Sequence, residues 1–232
     1  MSLRNPATTL AVTMSGMLRA HDVTGLLYRI VRDSAHLTGA DAGGLLVRAP
    51  SGTLELLSAT SHATVELELY QAQAQEGPCV DVLRTGEVVE AVGAEEIRRR
   101  WPATGAAIVD AGFGSVHAYP LVWRDRVLGG LNLFCRDERH HDQEQSTVAA
   151  TLADMATLVL LQPDHLGHDD VADRLTRALE GRVVVEQAKG VLAHQLGVDM
   201  EAAFTSLVDQ AGQTGGSLSA TADEVVRSAY EE

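Results

Sequence analysis

Aromatic residues make up only 4% of this 232-residue chain, so its core has to be built from Leu, Val, Ile and Ala. Lysine is scarcer still: Lys189 is the only one, and every other permanent side-chain cation is an arginine. Positive charge is short overall, and the formal net charge is −14. That balance argues against a broad basic surface of the kind that gives sequence-independent affinity for nucleic acid. The two cysteines, Cys79 and Cys135, are far apart and belong to no CxxC or Cys/His motif, which excludes a disulfide framework and the usual zinc-finger spacings. A reducing cytoplasm is the expected setting. No apolar run approaches the ~20 residues that span a bilayer, and the opening MSLRNPATTL lacks the apolar stretch of a signal peptide. GxSxG, P-loop and HExxH patterns are missing and the acids are dispersed, so no enzyme is expected.

Hydrophobic residues at 45% and charged residues at 22% are globular values, and the length allows one ordinary domain and one small one. Apolar spacing predicts a helix over Ala7–Arg19, with Leu10, Met14, Met17 and Leu18 on one side, and a second over Asp22–Leu37, ended by Gly39. Strands are expected at Gly43–Val47 and Leu54–Ala59, joined at Pro50-Ser51-Gly52, and at Val88–Val92. Between them the pattern predicts helices over Thr64–Gln75, with Val65, Leu67, Leu69 and Tyr70 as its apolar residues, and over Cys79–Arg84. Helices at Glu95–Arg100 and Ala103–Ala111 are broken by Trp101-Pro102. A hairpin of Ser115–Val122 and Arg126–Phe134 precedes a long helix over Asp142–Leu161. Helices at both ends with antiparallel hairpins between them make an α+β sensor-like domain. Pro163 breaks the long helix and 163–167 reads as a linker, with helix resuming at about His168. The apolar stripes on either side of Pro163 suit a dimer seam or packing onto the chain's own sheet.

The last quarter of the chain has the most regular pattern. Val184, Ala188, Val191 and Leu192 recur at helical steps, and Gly197 stops that helix as a left-handed C-cap. Asp199 suits the N-cap of the next, whose stripe is Ala203, Phe204, Leu207, Val208 and Ala211. Gly215-Gly216 turns the chain into a third helix with Leu218, Ala222, Val225 and Val226. Three such helices close a small bundle.

Arg182, the run Glu186-Gln187-Ala188-Lys189-Gly190-Val191-Leu192, and Ala203-Phe204, Leu207, Ala211, Leu218 and Ala222 resemble the ANTAR domain, a three-helix RNA-binding module of bacterial antitermination regulators. Upstream, Gly77-Pro78-Cys79, Leu83-Arg84-Thr85-Gly86, Arg100-Trp101-Pro102, Ala111-Gly112-Phe113, Ser115-Val116-His117-Ala118 and Gly130-Leu131-Asn132-Leu133-Phe134 resemble a GAF domain. Together they resemble a bacterial, actinobacterial-like GAF–ANTAR regulator. The resemblance implies an arm at 1–21, a GAF-like antiparallel sheet flanked by helices at 22–162, a linker at 163–167 and a three-helix ANTAR bundle at 168–232. It also implies a homodimer that binds paired RNA hairpins and responds to an unknown small molecule in the GAF pocket, with Lys189 and Arg182 as RNA contacts. No cofactor is implied.

Charge argues for a second reading. Residues 163–232 carry a net −8 and residues 1–162 a net −6, so the RNA-binding candidate is the more acidic part. The family commonly has basic residues where this chain has Val208 and Ser217. Arg174, Arg177 and Arg227 are the available replacements. The alternative is a ligand-sensing or protein-interaction module whose tail dimerises without binding RNA. Among reactive side chains, Cys79 at a helix start is either a thiolate favoured by the helix dipole or a small core residue. His117 reads as a structural strand histidine rather than a haem ligand. His140-His141 on a loop lacks a third ligand in the sequence, so no metal site is expected.

Overall fold

The central strands do not alternate as a one-sided sheet would. Ala42 to Val47 are buried at six successive positions, as are Leu128 to Cys135 at eight, which requires layers on both faces. The computed structural model describes residues 6–19, 22–161, 171–214 and 216–230, and supplies those layers. Strands β1 (Ala42–Arg48), β2 (Leu54–Ala59), β3 (Val89–Val92), β4 (Ser115–Trp123) and β5 (Arg126–Cys135) form one antiparallel sheet in the order β2-β1-β5-β4-β3. Helices α1 (Pro6–Arg19), α2 (Val23–Thr38) and α7 (Gln143–Leu161) lie on one side. There Leu26, Ile30, Leu45, Val47, Leu121, Leu131, Leu133, Leu152 and Val159 make an aliphatic core. The other face is covered by α3 (His62–Ala74), α4 (Pro78–Thr85), α5 (Ala94–Arg100) and α6 (Thr104–Asp110). Trp101, Ile97, Ile108, Phe113, Val116 and Phe134 fill that side.

Two expectations change. The helix predicted over Thr64–Gln75 starts earlier, because Ser61 caps it by accepting from Thr64 N–H at 3.3 Å. Its buried face is Thr64, Leu67, Glu68 and Gln71, while Leu69 and Tyr70 are exposed. A polar stripe faces inward here because Glu68 and Gln71 find partners on other elements. The stripe of α7 is consumed by the chain's own sheet: Val148, Leu152, Met155, Ala156, Val159 and Leu160 are all buried within one chain.

The linker expected at 163–167 and the helix start at His168 lie outside the described residues. Helix α8 (Val171–Leu196) sends Leu175 and Ala178 into the sheet-domain core. Beyond them Val185, Ala188 and Leu192 pack with Ala203, Leu207 and Ala211 of α9 (Met200–Thr214) and with Leu218 and Ala222 of α10 (Leu218–Tyr230). Gly197 has φ 64° and ends α8, as its lack of a β-carbon allows. Asp199 Oδ1 accepts from Ala202 N–H at 2.8 Å at the start of α9. Ser217 caps α10 by accepting from Ala220 N–H at 3.0 Å.

Candidate nucleic-acid interface

Lys189 and Arg182 are two helical turns apart on α8, so they face the same way. That way is inward, toward the sheet domain. Both line a cleft between α8, α9 and the start of α10 on one side and α2, β2 and the start of α3 on the other. Lys189 is only 7% exposed. Its Nζ donates to both Glu186 carboxylate oxygens at 3.0 Å and lies 5.3 Å from the centroid of the Phe204 ring. An ion pair and a cation–π contact thus satisfy a charge that burial would otherwise make costly. Phe204 in turn meets Tyr28 of α2 edge to face, with ring centroids 4.7 Å apart at 89°. Arg182 is half-buried beside them. The cleft encloses about 40 Å³, room for a water or two and far below the hundreds of cubic ångströms of a metabolite pocket.

One carboxylate ties the two units together. Asp22 Oδ1 accepts from Gly25 N–H at 3.0 Å and caps α2. Its Oδ2 accepts from Leu218 N–H at 2.7 Å, and Ser219 Oγ donates to Oδ1 at 3.2 Å, so Asp22 also serves the N-terminus of α10. Nearby, Gly181 lies so close to Thr24 that a β-carbon there would overlap the Thr24 hydroxyl. Of the replacement cations, Arg227 is paired with Asp223. The side chains of Arg174 and Arg177 lie outside the described residues.

The sheet domain holds two buried polar groupings. On the α3–α4 side, Glu68 accepts from Asn132 Nδ2 at 2.9 Å through both oxygens and also from Gln71. Burial pushes the Glu68 carboxyl up to about 7, against these hydrogen bonds. Gln71 Oε1 accepts from Cys79 N–H at 3.0 Å. Burial, with the Glu68 charge, pushes the Cys79 thiol well up, so the dipole of its short helix does not make it a thiolate and it is an inert core residue. On the α7 side, His117, Cys135 and His141 are gathered in the interior. Burial and the neighbouring ring lower His117 to about 3, although the Arg139 backbone opposes this, and burial lowers His141 to about 4, so both rings are neutral at pH 7. While the exposed His140 pairs with Glu90, the fold places beside His141 two residues absent from its local sequence, His117 of β4 and Cys135 of β5. Only cross-strand register brings them there.

An antiparallel sheet sandwiched by helices is followed by a three-helix bundle docked on it, so the chain carries two distinct units. Residues 22–160 match the family model of the GAF domain, and residues 173–226 match that of the ANTAR domain. Solved GAF domains share the fold. That of an Acinetobacter phosphoenolpyruvate-protein phosphotransferase aligns with a TM-score of 0.57 at 16% identity, over 71% of this chain and 97% of that one. Its Coxiella burnetii counterpart gives 0.53 at 16%, over 69% and 95%. A cyanobacteriochrome GAF domain gives 0.51 at 15%, over 62% and 92%. Identities this low establish the fold alone. None of the curated proteins matches the chain. The chain belongs to the GAF family, with an ANTAR domain behind the sensor domain, and is a GAF–ANTAR regulator. ANTAR domains are RNA-binding modules of antitermination regulators.

Proposed function

We propose that the chain is a signal-responsive, cytoplasmic antitermination regulator, not an enzyme, and that the described conformation is its RNA-free form. Its ANTAR helices bind paired RNA hairpins, as a homodimer, through Lys189 and Arg182. The observation that carries this reading is the cleft itself: the ANTAR fold is kept, and its sole lysine, paired with Glu186 and Phe204, lies in the cleft against α2 and β2, where Phe204 meets Tyr28. A small molecule acting on the GAF domain loosens that contact, and the two cations then face solvent. The net −8 of residues 163–232 and the non-basic Val208 and Ser217 favour the second reading, a protein-interaction module that does not bind RNA.

The test is titration of a labelled double-hairpin leader RNA at two salt concentrations with the wild type, Lys189→Ala and Tyr28→Ala. The regulator reading expects saturable binding that weakens with salt and falls in Lys189→Ala. Tyr28→Ala removes an aromatic pair worth ~0.5–1.5 kcal/mol beyond its buried area, so affinity should rise about two- to tenfold. Failure of all three to bind would leave the interaction module.

A further inference from the structure

On the sheet face that packs against α7, three strands and one loop converge on a single point. Ser115 pairs with Cys135 and His117 with Leu133, so His117 and Cys135 are diagonal cross-strand neighbours on one face. Glu90 of β3 is directly opposite His117. The loop from β5 to α7 then returns over the same place and lays His141 on His117, with ring centroids 3.6 Å apart and planes within 5°. One ligating atom from each of His117, Cys135 and His141 lies within 4.8 Å of the others, and all three residues are buried.

A core histidine normally satisfies its ring nitrogens. Here His117 Nδ1 and Nε2 and His141 Nε2 make no well-formed hydrogen bond among the described residues, the Arg139 backbone giving His117 only a weak one. The surrounding groups are arranged to support ligation. Tyr119 Oη lies 2.8 Å from His141 Nδ1, which orients that ring and leaves Nε2 as the ligand atom. Arg139 Nη2 donates to Cys135 Sγ at 3.4 Å, which holds the sulfur in place. The half-exposed Glu90 carboxylate is 3.6 Å from His117 Nδ1 and also pairs with the exposed His140 at the mouth of the cluster.

We propose that His117, Cys135 and His141 bind a divalent first-row transition metal ion of borderline softness, such as Zn²⁺ or Co²⁺, with a water as the fourth ligand of a tetrahedral set. Two imidazoles and one thiolate are donors such ions take. Zn–N distances of ~2.0 Å and Zn–S distances of ~2.3 Å draw the cluster together and turn the two rings out of their parallel stack. The bound ion would fasten the loop preceding α7 to β4 and β5, whatever the ANTAR helices bind.

The test uses the full chain, stripped with a chelator and titrated with Co²⁺. One equivalent should produce the visible bands of tetrahedral Co²⁺ and a near-ultraviolet thiolate-to-cobalt charge-transfer band, both displaced by one equivalent of Zn²⁺. Cys135→Ser should lose the charge-transfer band and bind at least tenfold more weakly. Tyr119→Phe keeps every ligand and should weaken binding by about tenfold or more through the lost orientation of His141. Co²⁺ binding by the wild type without the charge-transfer band would overturn the proposal, as would a band and affinity unchanged in Cys135→Ser. The wild-type spectrum decides even where a variant fails to fold.

Discussion

Glu68 brings a carboxyl group into the interior on α3, with Asn132, Gln71 and Cys79 around it. Its pKa is raised from 4.5 to about 7. The unfolded chain therefore gives up this proton at a lower pH than the folded one. Below about pH 4.5 the group costs nothing; as pH rises to 7 the folded state loses up to about 3 kcal/mol of stability through it. Glu68→Gln removes that penalty. The introduced amide can donate to the Asn132 Oδ1, which lacks a partner, once the Asn132 amide turns over. Urea unfolding should find the variant about level with the wild type near pH 4.5 and about 3 kcal/mol more stable at pH 8. Equal stability at pH 8 would mean that the fold does not raise the Glu68 pKa. No sequence signal marks Glu68 as buried, because its partner Asn132 is 64 positions away on β5.

At the scale of elements, Asp22 joins two helices that are nearly the whole chain apart. It caps α2 and receives the first backbone donor of α10. A lost N-cap costs ~1 kcal/mol, so Asp22→Ala should cost about 2 kcal/mol. Asp22→Asn keeps an acceptor at α2 but removes the negative charge from the α10 dipole, and should cost less. Thermal melts order the two variants, and hydrogen exchange at Leu218 should accelerate in both. The α2 cap is legible from Asp22 preceding an apolar stripe; its second role is not, since it depends on how the tail docks. The α7 and α9 stripes were equally legible, but which surface they bury was not. The inner face of α3 is not legible in the sequence, because periodicity weighs apolar residues and this helix buries polar ones.

For the whole molecule, the decisive contact is the docking of the ANTAR bundle on α2 and β2. Gly181→Leu places a side chain where Thr24 sits while leaving the ANTAR core residues untouched. It should raise protease sensitivity between the domains and, on the proposed function, raise RNA affinity in parallel with Tyr28→Ala. Faster cleavage without any gain in RNA binding would separate docking from masking and count against the proposed role of the cleft. The net charge of −14 acts at this scale too. Long-range repulsion from RNA should slow association of every variant at low salt, an effect screened beyond a Debye length of about 10 Å at 0.1 M.

Patterns within a few residues determined what the sequence could determine alone: helix spacing, caps such as Asp199 and Gly197, hairpin turns, and the ordered motifs that resemble a GAF domain followed by an ANTAR domain. These are local because backbone geometry and capping are local. Tertiary structure decided that Lys189 is buried rather than offered to solvent. It decided as well that His117, Cys135 and His141 share one point, and that Asp22 serves two helices. Each depends on strand register or on how two domains meet, and those are set by the packing of residues far apart in the chain.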